Sequence, residues 1–188
     1  MTRLFLSAIN APALILLAAL GVAIQSSLFN SYPLQYLQPD IILVFIIWFG
    51  LKRGFGEGGI LTLILANIAE IHSAAPQGVF LVTYMTLYLL IRSISRLFVI
   101  PNLSALIILT LGASIYSKLA CLGVLHLLGL SGNQWQHTLL LLLPGSVMAG
   151  LSGIWIYRWL EQFDLVTFKN ERTRSALENE LQLESDRF

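Results

Sequence analysis

The feature that most constrains this chain is a succession of six apolar runs separated by short polar punctuation. A helix that crosses the hydrocarbon core of a bilayer needs about 20 mostly apolar residues, with a range of about 17–25. The runs extend from Leu4 to Phe29, about Leu37 to Leu51, Phe55 to Ile71, Val79 to Ile91 with an extension toward Ile100, Leu103 to Leu130, and Leu139 to Leu160. They are continuous rather than alternating, which selects helices over the roughly 10-residue alternating strands of a membrane barrel. Hydrophobic residues make up 56% of the 188-residue chain and charged residues 11%. A soluble domain carries about 25% charged residues, so this chain has too little charge to cover a water-facing surface. The expected fold is all-α: a polytopic bundle of six transmembrane helices over residues 1–160, followed by a charged tail over 161–188.

Composition also removes several function classes. High hydrophobicity with low net charge excludes intrinsic disorder. The formal net charge of +1 gives no basic footprint, so no nucleic-acid partner is expected. The single cysteine, Cys121, excludes a disulfide scaffold and any multi-cysteine metal centre. Arg3 followed by an apolar stretch and Gly21-Val22-Ala23 imitates a signal peptide, but the run continues to Phe29 and reads as a retained first span.

Short cytoplasmic loops collect Lys and Arg. Arg3 precedes run one, Lys52 and Arg53 follow run two, and Arg92 and Arg96 follow run four. Arg158, Lys169, Arg172, Arg174 and Arg187 lie at or beyond the end of run six. The loops 30–39, 71–78 and 131–137 contain no Lys or Arg. All eleven basic residues except Lys118 therefore fall on one side of a six-span arrangement, which places both termini in the cytoplasm. Tyr32, Tyr36, Trp135 and Trp159 lie near span ends, as an interfacial aromatic belt requires.

Polar residues within the runs are few. Glu70 lies near the outer end of span three, and Lys118 lies about 22 Å along span five at 1.5 Å per residue. Both fall in the outer half. Charges within spans face the bundle interior or an aqueous cavity and pair with one another, so a Glu70–Lys118 pair is one arrangement. In the other, Glu70 reaches the outer interface and Lys118 snorkels. Gly54, Gly56, Gly58 and Gly59 at the start of span three suit either close helix packing or a broken, cavity-lining segment. Pro144-Gly145 predicts a kink in span six, and Gly150 with Gly153 a close-packing face.

His72, His126 and His137 show no metal-ligand spacing. No GxSxG, phosphate-loop or CxxC motif occurs. No catalytic group, cofactor or metal is therefore expected, and the chain is not expected to be an enzyme. From Leu165 onward, four basic residues face five acidic ones, so the tail is not a polybasic lipid-binding segment. Leu177, Leu181 and Leu183 within 170–183 permit a short amphipathic helix or a solvated, frayed terminus.

The segment from Ser26 to Arg96 resembles the rod shape-determining protein MreD family. The residues that carry the resemblance begin with Gln25-Ser26-Ser27-Leu28-Phe29, Pro39-Asp40-Ile41-Ile42-Leu43, Gly50-Leu51-Lys52-Arg53-Gly54 and Glu57-Gly58. They end with Ala69-Glu70-Ile71-His72-Ser73-Ala74-Ala75-Pro76-Gln77-Gly78. Glu70 stands where the family usually has Asp, Ser73, Pro76 and Gly78 match its pattern, and Ala74 replaces its usual Gly. The resemblance implies a fold similar to the substrate-binding S components of energy-coupling-factor transporters. It also implies a non-enzymatic scaffold of the bacterial cytoplasmic (inner) membrane. Such a scaffold binds MreC and, with MreB, RodA and a penicillin-binding transpeptidase, directs lateral peptidoglycan synthesis and rod shape. Glu70, Ser73, Pro76, Gly78 and Lys118 are the expected structural or partner-site residues. The alternative is an S-component-like subunit of a vitamin transporter, with Asn67, Glu70, His72 and Lys118 available to line an outward pocket among apolar walls.

Overall fold

A computed structural model describes residues 2–29, 38–73, 75–97, 103–130 and 134–167. Its described residues form six α-helices and no strand: α1 (Thr2–Leu28), α2 (Ile41–Lys52), α3 (Phe55–Ile71), α4 (Val79–Leu97), α5 (Leu103–Leu127) and α6 (Gln134–Val166). Their order matches the six apolar runs. Two stretches, Ile9–Leu28 and Ser104–Leu127, are long and apolar enough to cross a membrane, which suggests membrane association.

The organising element is α2. Asp40 caps its start, with Oδ1 accepting the Leu43 N–H at 3.0 Å. Every residue from Ile42 to Gly50 is buried. A helix that is apolar on all sides belongs inside a bundle, and α2 packs against α1, α3, α4, α5 and α6. The pairs α1–α3, α3–α4, α4–α5 and α5–α6 pack as neighbours around it. With 12 residues, α2 is about 18 Å long. It begins at Ile41 rather than near Leu37 because Asp40 fixes its N-terminus.

Glycines set the closest approaches. A Cβ at Gly50 would stand 2.7 Å from Ile91 Cγ2, so α2 and α4 meet there backbone to side chain. A Cβ at Gly58 would stand 2.8 Å from the Tyr88 hydroxyl, which itself donates to the Phe55 carbonyl at 2.8 Å. Gly58 and Gly59 at the start of α3 are thus a packing surface for Tyr88 of α4 within an unbroken helix, while a Cβ at Gly54 or Gly56 meets nothing within 4 Å. Gly150 and Gly153 do the same for α6 against Leu111 and Thr110 of α5.

One boundary differs from the sequence expectation. Leu160 does not end the bundle: α6 continues through Pro144 and past Glu161 to Val166, and Leu160, Asp164 and Thr167 are all buried. The charged residues after Leu160 disguise this extra turn because one of them faces inward to meet a partner. The expected amphipathic segment over 170–183 lies outside the described residues, as do Tyr32, Tyr36 and Ala74.

The Gly50 contact is directly testable. Ile91 is β-branched and stiff, so it cannot swing aside for a new side chain. Gly50→Val should cost roughly 1–3 kcal/mol by overpacking and lower the melting temperature in detergent. Gly112→Ala, where a Cβ meets nothing within 4 Å, should leave melting unchanged or slightly raised. Equal melting of the two variants would contradict the packing described.

Candidate functional site

Two polar clusters lie at opposite ends of α2. The first is built at the α2–α3 junction, where Arg53 turns inward. Its Nη2 donates to Asp164 Oδ1 and to Asn10 Oδ1, both at 2.6 Å. Asn10 Nδ2 in turn donates to Asp164 Oδ1 at 3.0 Å and to the Thr167 hydroxyl at 2.6 Å. The guanidinium lies over the Trp48 ring at 4.8 Å, and Glu57 stands 3.7 Å from Nη1. All four members, Asn10, Arg53, Asp164 and Thr167, are buried. Burial pushes the Asp164 carboxyl up from the usual carboxylate range, against the pull of the Arg53 guanidinium and the Asn10 amide. This cluster ties α1 to α6 across the α2–α3 corner and so closes the ring of helices. The neighbouring Lys52–Glu161 pair at 3.1 Å is solvent-facing and contributes little.

The second cluster sits at the other end. The Tyr84 hydroxyl donates to Asp40 Oδ2 at 2.9 Å, joining α4 to the cap of α2. Gln25 Oε1 accepts the Ile41 N–H at 3.3 Å and joins α1 to the same cap. Lys118 of α5 lies close enough to Asp40 for the two charges to act on one another. It reaches this point by lying against Gly145 of α6, where a Cβ would stand 2.5 Å from its Nζ. These groups line a cavity of about 290 Å³ together with His72, Ser73, Phe80 and others.

The sequence-derived candidates distribute as follows. Lys118 and Ser73 line the cavity, and Ser73 Oγ accepts the Ala75 N–H at 2.9 Å. Glu70 does not: its Oε1 accepts the Gly78 N–H at 2.6 Å and the Leu81 N–H at 3.2 Å, capping α4. Of the two arrangements open for Glu70 and Lys118, the mutual pair does not form among the described residues: Glu70 is held by the α4 N-terminus, and Lys118 comes within range of the Asp40 charge. Orphan N–H groups at a helix start attract a carboxylate placed one turn away in space. Pro76 is exposed in the turn and Gly78 holds φ at +93°, a left-handed conformation suited to glycine. Asn67 is exposed and bonds to the Leu63 carbonyl of its own helix, so it does not join the cavity, whereas His72 does. His126 is exposed on α5. Among the described residues, no group of three or more His, Cys, Asp or Glu side chains could hold a metal ion.

Asn10, Asp40, Tyr84 and Asp164 were not singled out by spacing. The available signals were a polar residue inside an otherwise apolar run for Asn10, and for Asp40 the proline before a helix start. Comparison with protein-family models, with curated proteins and with solved structures finds no match.

The closing cluster predicts strong coupling. Arg53→Met or Asp164→Leu alone leaves a buried, unpaired partner and should cost roughly 3–5 kcal/mol. The double variant should cost much less than the two singles added. Removing Arg53 takes away a pull that holds the Asp164 carboxyl down, so the folded state of Arg53→Met favours the protonated acid. Its deficit should therefore shrink as pH falls toward the carboxylate range and grow as pH rises. Additive losses in detergent melting, or a deficit that grows on acidification, would contradict the pairing.

Proposed function

We propose that this chain is a non-enzymatic scaffold that spans the bacterial cytoplasmic membrane six times. In this reading it binds MreC within the cell-elongation complex of MreB, RodA and a penicillin-binding transpeptidase, and helps direct lateral peptidoglycan synthesis and rod shape. The observation that carries this reading is where the residues of the family resemblance fall. Asp40 caps α2, Arg53 closes α1 onto α6, Gly58 seats Tyr88, and Glu70 with Gly78 caps α4. Each is a joint between helices, as expected of a protein that acts by presenting shaped helix surfaces.

Six spans are supported by the sidedness of the charges. Arg53, Arg92 and Asp164 gather at one end of the bundle, and Arg92 Nη1 donates to the Gly50 carbonyl there at 3.2 Å. Glu70, Asp40 and Lys118 gather at the other. The short α2 is enclosed by its neighbours and need not match the lipid thickness by itself. Leu16, Leu20, Ile24 and Leu28 form an exposed apolar stripe on α1 at four-residue spacing, as a lipid-facing helix requires.

The cavity favours a second reading, an S-component-like subunit that binds a small molecule for uptake. The two readings separate on the turn before α4. Valine at the positive φ of Gly78 should strain the backbone by about 1–3 kcal/mol and shift the α3–α4 packing without changing a charge. For the scaffold, Gly78→Val in a rod-shaped host should give rounded cells and weaker MreC co-purification, with the protein still in the membrane. Normal rods with full MreC recovery would contradict it, and lost vitamin uptake with unchanged shape would favour the transporter subunit. Topology is checked independently: reporter fusions after Arg53, Arg96 and Phe188 should read cytoplasmic, and fusions after Tyr36 and Gln134 external. An external signal at Phe188 would remove the six-span arrangement.

A further inference from the structure

The cavity at the Asp40 end of the bundle has a chemistry that the scaffold reading does not use. Its walls combine apolar surface from Val22, Ile42 and Phe80 with polar groups converging from three helices, α1, α4 and α5, and from the chain before α2 and after α3. At about 290 Å³ it is of the size of a small-ligand site. Two of its lining side chains are ionisable groups of opposite sign, Lys118 and Asp40.

Three wall groups, Gln25, Ser73 and Asp40, retain capacity of a definite sign. Gln25 uses Oε1 on the Ile41 N–H, which leaves its amide N–H groups as donors. Ser73 accepts from the Ala75 N–H and keeps its own hydroxyl proton. Together with the Lys118 ammonium, these donors suit an acid anion. On the other side, Asp40 has one bond described on each oxygen, from Leu43 N–H and from Tyr84, and a carboxylate offers about four lone-pair sites. It therefore retains acceptor capacity for an ammonium. A bare anion would have to sit beside Asp40, and a bare cation beside Lys118. A group carrying both charges meets each with its opposite and adds no net charge to the site.

Gly145 shows that the lysine is accommodated rather than incidental. The Lys118 ammonium occupies the place that a side chain would take on α6. A side chain there would require the end of the lysine to shift, and the preceding Pro144 lies inside the same helix.

We propose that this cavity binds a small zwitterion, with its acid anion on Lys118, Gln25 and Ser73 and its ammonium on Asp40. Such a group reaches the site either as a free solute or as the ethanolamine phosphate headgroup of a phospholipid. The proposal goes beyond the scaffold reading, and MreC recovery does not bear on it.

The test uses the full chain purified in nanodiscs. Glycine and O-phosphoethanolamine are titrated as free zwitterions, with ethanolamine and inorganic phosphate as the separate halves. Retention of phosphatidylethanolamine against phosphatidylglycerol is measured by native mass spectrometry. Saturable binding of a free zwitterion assigns a soluble ligand, and selective retention of phosphatidylethanolamine alone assigns the headgroup. In either case Lys118→Met should weaken binding about tenfold or more, as loss of a charge-assisted contact implies. Gly145→Ala, which displaces only the far end of a flexible side chain, should weaken it in the same direction and serves as the test if Lys118→Met does not fold. Lys52→Met, at the opposite end, should leave binding unchanged. The proposal is overturned if neither a free zwitterion nor phosphatidylethanolamine is held, if the halves bind as well as the whole, or if Gly145→Ala binds as the wild type does.

Discussion

The fold depends on meeting the polar ends of a helix that has no polar face. From Ile42 to Gly50, α2 is enclosed on every side by apolar contacts, which hold it without fixing its depth or rotation. Direction and register come from its ends. Asp40 at the start is shared among the α2 backbone, Tyr84 and the charge of Lys118. Arg53 just past the end is shared among Asn10, Asp164 and the Trp48 ring. Burying an ion pair is costly, and well-packed apolar residues in its place are often as stable. Its value here is directional, because Arg53 reaches α1 and α6 from one corner and specifies which helices become neighbours.

The remaining contacts follow from this frame. With α2 fixed, α4 approaches it until Ile91 meets the bare backbone of Gly50, and Tyr88 enters the space left by Gly58. The α3–α4 turn is then set by Glu70, whose carboxylate reaches over to the first amides of α4. On the far side, α5 and α6 close over Gly150 and Gly153. Lys118 crosses Gly145 to reach the Asp40 end, so the cavity draws on α1, α2, α3, α4, α5 and α6.

Much of the architecture is legible in the sequence because apolar helices announce themselves by length and composition. The six apolar runs map onto six helices, and Phe55–Ile71 agrees at both ends. The all-round apolarity of Ile41 to Phe49 already marks a helix without a solvent face. What was not legible is pairing across long sequence separations. Asn10 and Asp164 are 154 residues apart, and nothing local connects a lone polar residue in the first run to an acid that reads as part of a charged tail. Charge in the same half leaves Glu70 and Lys118 two arrangements, a mutual pair or separate routes to the interface. The nearer opportunity for Glu70 was the orphan amides of α4, which sequence charge counting does not register. The cavity can be anticipated from His72 and Lys118, but Asp40 and Gly145 read as punctuation, and Tyr84 carries no sequence signal that sets it apart from other aromatic residues.

In the proposed scaffold reading, these joints hold a bundle that assembles other proteins. The most direct measurement is a mild-detergent pull-down of the tagged full-length chain from its native membrane, with the recovered proteins quantified by mass spectrometry. The account predicts that MreC is recovered in near-equal amount with the chain, accompanied by RodA and a penicillin-binding transpeptidase. Recovery of an ATPase pair with a transporter membrane subunit, and no enrichment of MreC, would contradict it.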